Sequence, residues 1–189
     1  MKSFVELGHS GSQVYYCESF FGKRTANLIL DLIKKMPIAK AEEWNCEFDT
    51  VILDHRSILY KNIDLLSMFC DINKKIFEDM YKVSLKDIKN DWKSISVKIQ
   101  KVGEEHGPHS DAGAETIGYN PVGEMHPYLS TVTCLTEDYD GGHFEIPEFN
   151  ISTKLKMGST IVFPSKNHEH QVTKITGGER RTLLGFWYI

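Results

Sequence analysis

After Asp91 the chain never sustains a helical period. It breaks instead into short apolar runs, each closed by glycine, proline or a turn pair. In KSISVKIQK (93–101), Ile95, Val97 and Ile99 alternate with polar residues, which predicts a strand with one buried face. LSTVTCL (129–135), GHFEI (142–146), STIVFP (159–164), HQVTKI (170–175) and RTLLGFWYI (181–189) follow. Asn120-Pro121, Asp140-Gly141-Gly142, Met157-Gly158 and Gly177-Gly178 mark turns between them. Many short strands at this spacing predict a sandwich or a barrel.

The first half has a different period. In TANLILDLIKKM (25–36), Leu28, Ile29, Leu32, Ile33 and Met36 share a helical face, and Pro37 stops the helix. Residues 62–81 place Leu65, Phe69, Ile72, Ile76 and Met80 on another face. Between them DTVILDHRS suits a strand. Helices first and strands after predict a mainly β fold with flanking helices, in one domain spanning 1–189. Helical support covers 1–90 and the β core covers 91–189. The helices carry no chemistry of their own.

Composition excludes several classes. The net charge of −4 lacks the basic excess of a nucleic-acid footprint. No apolar run is long enough to span a bilayer, so no membrane partner is expected. The N-terminus MKSFVELGHSGSQ has no apolar h-region. Cys17, Cys46, Cys70 and Cys134 form no CxxC pair and read as reduced thiols of a cytoplasmic protein. Oligomeric state is not legible.

The chemistry concentrates in HGPHSDAGAE (106–115), a stretch no folding core requires. His109 and Asp111 are two residues apart. At a strand end such side chains share a face, with Cα atoms roughly 6.5–7 Å apart, so a metal ion could sit between them. By itself a His-x-Asp pair is equally well a hydrogen-bonded polar loop. His170 adds a third ligand from a distant strand, His168 being the alternative at the same parity. Two histidines and a carboxylate on one face suit Fe(II) and leave three cis positions open, although Mn, Co or Ni also fit. Arg180 stands ten residues after His170, on a neighbouring strand if Gly177-Gly178 is a turn. A buried arginine requires an anion. A dicarboxylate chelating the metal at one end would place its other carboxylate there. Arg181 should face the other side of its strand. His106 reads as a solvated loop residue, and Lys98 and Lys101 as a solvated strand face.

With HSD (109–111), LSTVTCLTEDYDGGHFEIP (129–147), KMGSTIVFPS (156–165), HQV (170–172) and GGERRTLLGFW (177–187), the sequence resembles the Fe(II)- and 2-oxoglutarate-dependent dioxygenases. It is most like the prolyl 4-hydroxylase-like branch, including its small viral and bacterial members. The resemblance covers roughly residues 92–189. It implies a double-stranded β-helix, or jelly roll. It implies His109, Asp111 and His170 as iron ligands and Arg180 as the partner of the 2-oxoglutarate C5 carboxylate. It also implies O₂ as co-substrate and ascorbate as a reductant. The implied reaction couples decarboxylation of 2-oxoglutarate, yielding succinate and CO₂, to hydroxylation of a substrate carbon. A prolyl residue in a peptide or protein is the expected substrate. A free amino acid or small metabolite is the alternative, as is a jelly-roll binding module without activity.

The sequence departs from the family where Tyr-Leu-Asn is usual and Cys134-Leu135-Thr136 stands instead. A hydroxyl from Thr131 or Thr133 is then expected to help bind 2-oxoglutarate. A second family tyrosine is replaced by Gln100 or Lys101, and Gln100 is expected to join Arg180 in binding the co-substrate. The long loop 112–127 reads as a substrate lid. Tyr119 within it, and His126 and Tyr128 at its end, are the candidate substrate contacts. A zinc hydrolase would not need Arg180 at this spacing. A nucleic-acid demethylase would carry more basic surface.

Overall fold

A computed structural model describes residues 3–36, 38, 40, 48–52, 63–87, 95–111, 127–166 and 168–189. Among the described residues the strands are β1 (Val5–Glu6), β2 (Tyr15–Cys17), β3 (Asp49–Ile52), β4 (Ile95–Lys101), β5 (His106–His109), β6 (Leu129–Cys134), β7 (Tyr139–Gly141), β8 (Phe144–Ile146), β9 (Ile151–Thr153), β10 (Thr160–Pro164), β11 (His170–Val172) and β12 (Ile175–Trp187). The helices are α1 (Gly22–Ile33) and α2 (Ile63–Tyr81). Neither is long and apolar enough to cross a membrane.

The strands form two sheets. The major one runs β1-β2-β10-β6-β12-β4-β3, with β7 added beside the start of β12. The minor one runs β5-β11-β8-β9. The pairs in both are antiparallel. This is the jelly-roll architecture, mainly β with helices outside.

Alternation along the central strands sorts side chains into two cores. Ile95, Val97 and Ile99 of β4 and Leu183 and Trp187 of β12 pack with Ile29, Ile33 and Phe77 of the helices. Their neighbours one residue along face the inside of the sandwich. There Val132, Cys134 and Leu184 meet Phe144, Ile146 and Val172 of the minor sheet. β6 is therefore buried along its whole length, and its hydroxyls must find internal partners. The second face of β4 is half-buried at Ser96 and Lys98 and buried at Gln100, where alternation alone suggested a solvated face.

Both helices are rotated from the expected faces. α1 starts at Gly22 and buries Ala26, Ile29 and Ile33, leaving Leu28 48% exposed. In α2, Cys70, Asn73 and Phe77 are buried and Ile72 is 44% exposed. Small residues at Ala26 and Cys70 set the line of approach, which apolar periodicity alone does not register.

The Gly177-Gly178 pair is not a turn. β12 runs straight through it, pairing with β7 across an irregularity between Ile175 and Gly177. The glycines permit close approach: a Cβ on Gly178 (φ +69°) would lie 2.0 Å from the Asp138 carbonyl oxygen. His170 and Arg180 consequently stand on opposite sheets, not on neighbouring strands of one sheet.

Candidate metal and co-substrate site

His109 and His170 are direct cross-strand partners in the β5–β11 pair, and their ring centroids are 4.2 Å apart. Asp111 lies two residues beyond β5. Its Oδ1 is 3.6 Å from His109 Nε2 and its Oδ2 is 3.6 Å from His170 Nε2. One nitrogen or oxygen atom from each of the three lies within 4.8 Å of the other two.

The tautomers follow from the backbone. His109 Nδ1 donates to the Gly107 carbonyl (2.9 Å) and His170 Nδ1 to the His168 carbonyl (3.0 Å). A carbonyl only accepts, so each Nδ1 carries a proton, and Nε2 is the nitrogen that each ring turns toward Asp111 and could give to a metal. Burial pushes the His170 imidazole down to about 4, against the attraction of Asp111. Burial also pushes the Asp111 carboxyl up. Hydrogen bonding and attraction from His109, His170 and Ser130 outweigh it and hold the group at about 2. Two neutral imidazoles and one carboxylate form a donor set suited to a divalent cation of borderline hardness, Fe(II) included.

These shifts have a consequence for stability. Folding lowers the His170 pKa from 6.5, so the unfolded chain takes up that proton first as pH falls. Metal-free protein should therefore lose stability from about pH 6.5 toward 4. Asp111, lowered from 3.8 to about 2, adds a second loss across that lower window. Melting in chelator should show Tm falling by about 4–7 °C between pH 7 and 5. A flat profile over that interval would contradict the burial of neutral histidine.

Arg180 faces this cluster from the opposite sheet. It is 2% exposed and is paired in register with Gln100 of β4, which is 1% exposed. Arg180 Nη1 donates to Gln100 Oε1. Among the described residues, Arg180 Nε, Arg180 Nη2 and Gln100 Nε2 are buried donors without a partner. Unsatisfied buried donors are costly. Grouped around one guanidinium, they form a cradle for a carboxylate. Gly142 lets the arginine stem through, since a Cβ there would sit 3.1 Å from Arg180 Cδ. The cavity between cradle and cluster is lined also by Lys98, Ser130, Val132, Phe144 and Leu184.

The other sequence candidates divide. Thr131 borders the cavity, but its hydroxyl donates to the Gly185 carbonyl (3.1 Å) and accepts from Trp187 Nε1 (3.3 Å), on the helix side of the sheet. Thr133 is bound to Thr160 (2.6 Å). Strand parity turns both hydroxyls away from Arg180. Lys101 is exposed and paired with Asp49. Tyr128 packs against the core between the major sheet and the helices and is absent from the cavity wall. Tyr119, His126 and nearly all of the 112–127 loop lie outside the described residues. His168 turns away, its Nε2 against the Ser12 carbonyl and its ring on Phe149. Arg181 points out of the cavity and pairs with Glu179.

His106 is the residue sequence reasoning misplaced. It stacks on His109 (centroids 3.8 Å), packs edge-on to Phe48 and lines the cavity. Burial, then Lys98, pushes it down to about 2. Three residues apart on a regular strand, His106 and His109 would face opposite ways. The register resolves this: His170 pairs with His109 but Val172 pairs with His106, so β5 carries one extra residue. That bulge restores both rings to one side.

A family model described as the 2OG-Fe(II) oxygenase superfamily matches residues 96–189. No curated protein matches the chain by sequence. Among solved structures, the chain is similar to a viral collagen prolyl hydroxylase from Paramecium bursaria Chlorella virus-1 in complex with 2OG. That likeness has a TM-score of 0.68 and 12% identity, covering 94% of this chain and 96% of that one. A Pseudomonas putida prolyl-4-hydroxylase gives 0.69 and 14%, covering 95% and 94%. A 2OG-Fe(II) oxygenase family oxidoreductase from Burkholderia pseudomallei gives 0.71 and 16%, covering 94% and 85%. At these identities the likeness is one of fold.

Proposed function

Because the chain belongs to the 2OG-Fe(II) oxygenase superfamily, whose members use Fe(II), 2-oxoglutarate and O₂, we propose that this dioxygenase hydroxylates a prolyl residue of a peptide or protein. The observation that carries the reading is the pairing of two half-sites. An open His-Asp-His cluster on one sheet faces an unsatisfied guanidinium–amide cradle on the other. A metal alone would leave the cradle empty, and a simple carboxylate would leave the cluster unused. A molecule with a chelating end and a distal carboxylate satisfies both. The fold shared with two prolyl hydroxylases supports the substrate class.

In this reading His109, Asp111 and His170 would hold Fe(II). Bound Fe(II) supplies the activation of O₂ that decarboxylation of 2-oxoglutarate requires. Arg180 and Gln100 take the distal carboxylate and fix the orientation of the co-substrate. Gln100 stands in for the hydroxyl sought at Thr131. Phe144, Val132 and Leu184 supply an apolar wall that excludes water around the chain of the co-substrate. Whole-chain organisation as one domain, a cytoplasmic setting and ascorbate as reductant complete the proposal. Cys134 is a buried free cysteine, which supports the reducing compartment.

The test is single-turnover succinate formation after anaerobic loading with Fe(II) and 2-oxoglutarate, followed by a panel of proline-containing peptides read by mass. The expected result is succinate together with a one-oxygen gain on proline. A gain seen only on free amino acids would move the substrate to a small molecule. No succinate and no Fe(II) binding would leave a binding module.

A further inference from the structure

We propose that the loop joining β1 to β2 is an outer support of the metal site, and that it acts through His168, a positioning residue for His170. The inference rests on the reading of His170 as a ligand. His170 opens β11, and pairing with β5 begins at that residue. His168 and Glu169, just before it, belong to no strand. Yet the His168 carbonyl is the group that accepts the His170 Nδ1 proton (3.0 Å), the bond that fixes the rotation of the ligand ring. A carbonyl that lies before the ladder needs another anchor.

The His168 side chain supplies it. Its Nε2 donates to the Ser12 carbonyl (3.0 Å), joining residues 156 apart in the chain. Ser12 is 1% exposed and braced within its own loop. Its hydroxyl donates to the Leu7 carbonyl (2.6 Å) and accepts from the Val14 amide (3.2 Å), and its amide donates to the His9 carbonyl (3.1 Å). Phe149 ties the two parts together. Its ring meets His168 and His9 edge-on, each at 5.0 Å between centroids, and it packs with Leu7 against the core between the sheets. The loop's far end, β2, pairs with β10 of the major sheet. The grip therefore crosses from one sheet to the other. It holds the strand that carries His170 against the sheet that carries Arg180, so it also sets how the two half-sites face each other.

The experiment measures Mn(II) affinity by titration and, in Zn(II)-loaded protein with isotope-labelled histidine, the NMR signal of the His170 Nδ1 proton. Neither reading requires turnover. His168→Gln, His168→Phe, His168→Ala and His109→Ala are compared with wild type. His168→Gln keeps a donor close to the Nε2 position, whereas His168→Phe keeps the ring and loses the donor. His168→Phe and His168→Ala should weaken Mn(II) binding by roughly 10-fold, the lower end of what outer partners of a ligand contribute. Both should broaden the Nδ1 proton signal through exchange with water, and His168→Gln should match wild type in both readings. Ile33→Val is the control for stability, because it loosens the helix-side core and should leave both readings unchanged. Folded His168→Phe and His168→Ala proteins with wild-type affinity and a sharp signal would overturn the support role while His109→Ala still abolished binding. A wild type that bound neither ion would instead remove the metal centre itself, and the support role with it.

Discussion

Asp111→Asn should abolish divalent-metal binding and reduce succinate formation to background while leaving the fold in place. The substitution keeps the side chain's shape and removes its charge. The cluster then consists of two neutral imidazoles 4.2 Å apart between ring centroids, with no anion to offset a 2+ ion. Loss of an outer-shell partner costs roughly 10- to 100-fold in affinity, and loss of the sole anionic ligand must cost more. Isothermal titration with Mn(II), with circular dichroism as the control for folding, measures it. An Asp111→Asn protein that still bound Mn(II) within about 10-fold of wild type would move the metal away from this carboxylate.

Arg180→Met should act in opposite directions on stability and on co-substrate binding. Without ligand, the wild-type guanidinium is buried, bonded to Gln100, with two of its nitrogens unsatisfied among the described residues. Replacing such a charge with an apolar chain of similar length is neutral or stabilising by about 1–4 kcal/mol, because desolvation outweighs incomplete pairing. For a chain of this size each kcal/mol corresponds to about 2–4 °C in Tm. The metal-free variant should therefore melt at or above the wild-type temperature. Its affinity for 2-oxoglutarate should fall by roughly 2–5 kcal/mol, the cost of truncating one side of a buried charged pair. The thermal shift that 2-oxoglutarate gives the Fe(II)-loaded wild type should vanish in the variant. A variant that melted lower and bound 2-oxoglutarate normally would make Arg180 a structural residue.

The chemistry was more legible in the sequence than its geometry. His109, Asp111, His170 and Arg180 stood out because these residue types have little place in a folding core, and β4, β6 and β12 because alternation shows in a strand buried on either face. What stayed hidden depended on partners far along the chain. The three-residue strands β7 and β9 carry too little pattern to register alone. Gly177-Gly178 resembled a reversal because glycine marks turns and close approach alike, and only β7 beside it distinguishes the two. His106 looked solvated because one extra residue in β5 reverses its parity, and a bulge leaves no trace in composition. Thr131 has the hydroxyl the co-substrate needs, but on the face that meets Trp187.

The position of β12 in the major sheet bears on how the protein is made. It is the last strand in the sequence, yet it lies between β6 and β4 and also pairs with β7. A nascent chain lacking it has two half-sheets with raw inner edges and no surface on which to close. Stepwise folding behind the ribosome is thereby denied to the jelly roll until Trp187 has left the exit tunnel. Closure then joins segments 80 residues apart, since Gln100 and Arg180 must find each other in register. Slow, concerted folding and a need for protection against edge-to-edge association during synthesis are the expected costs.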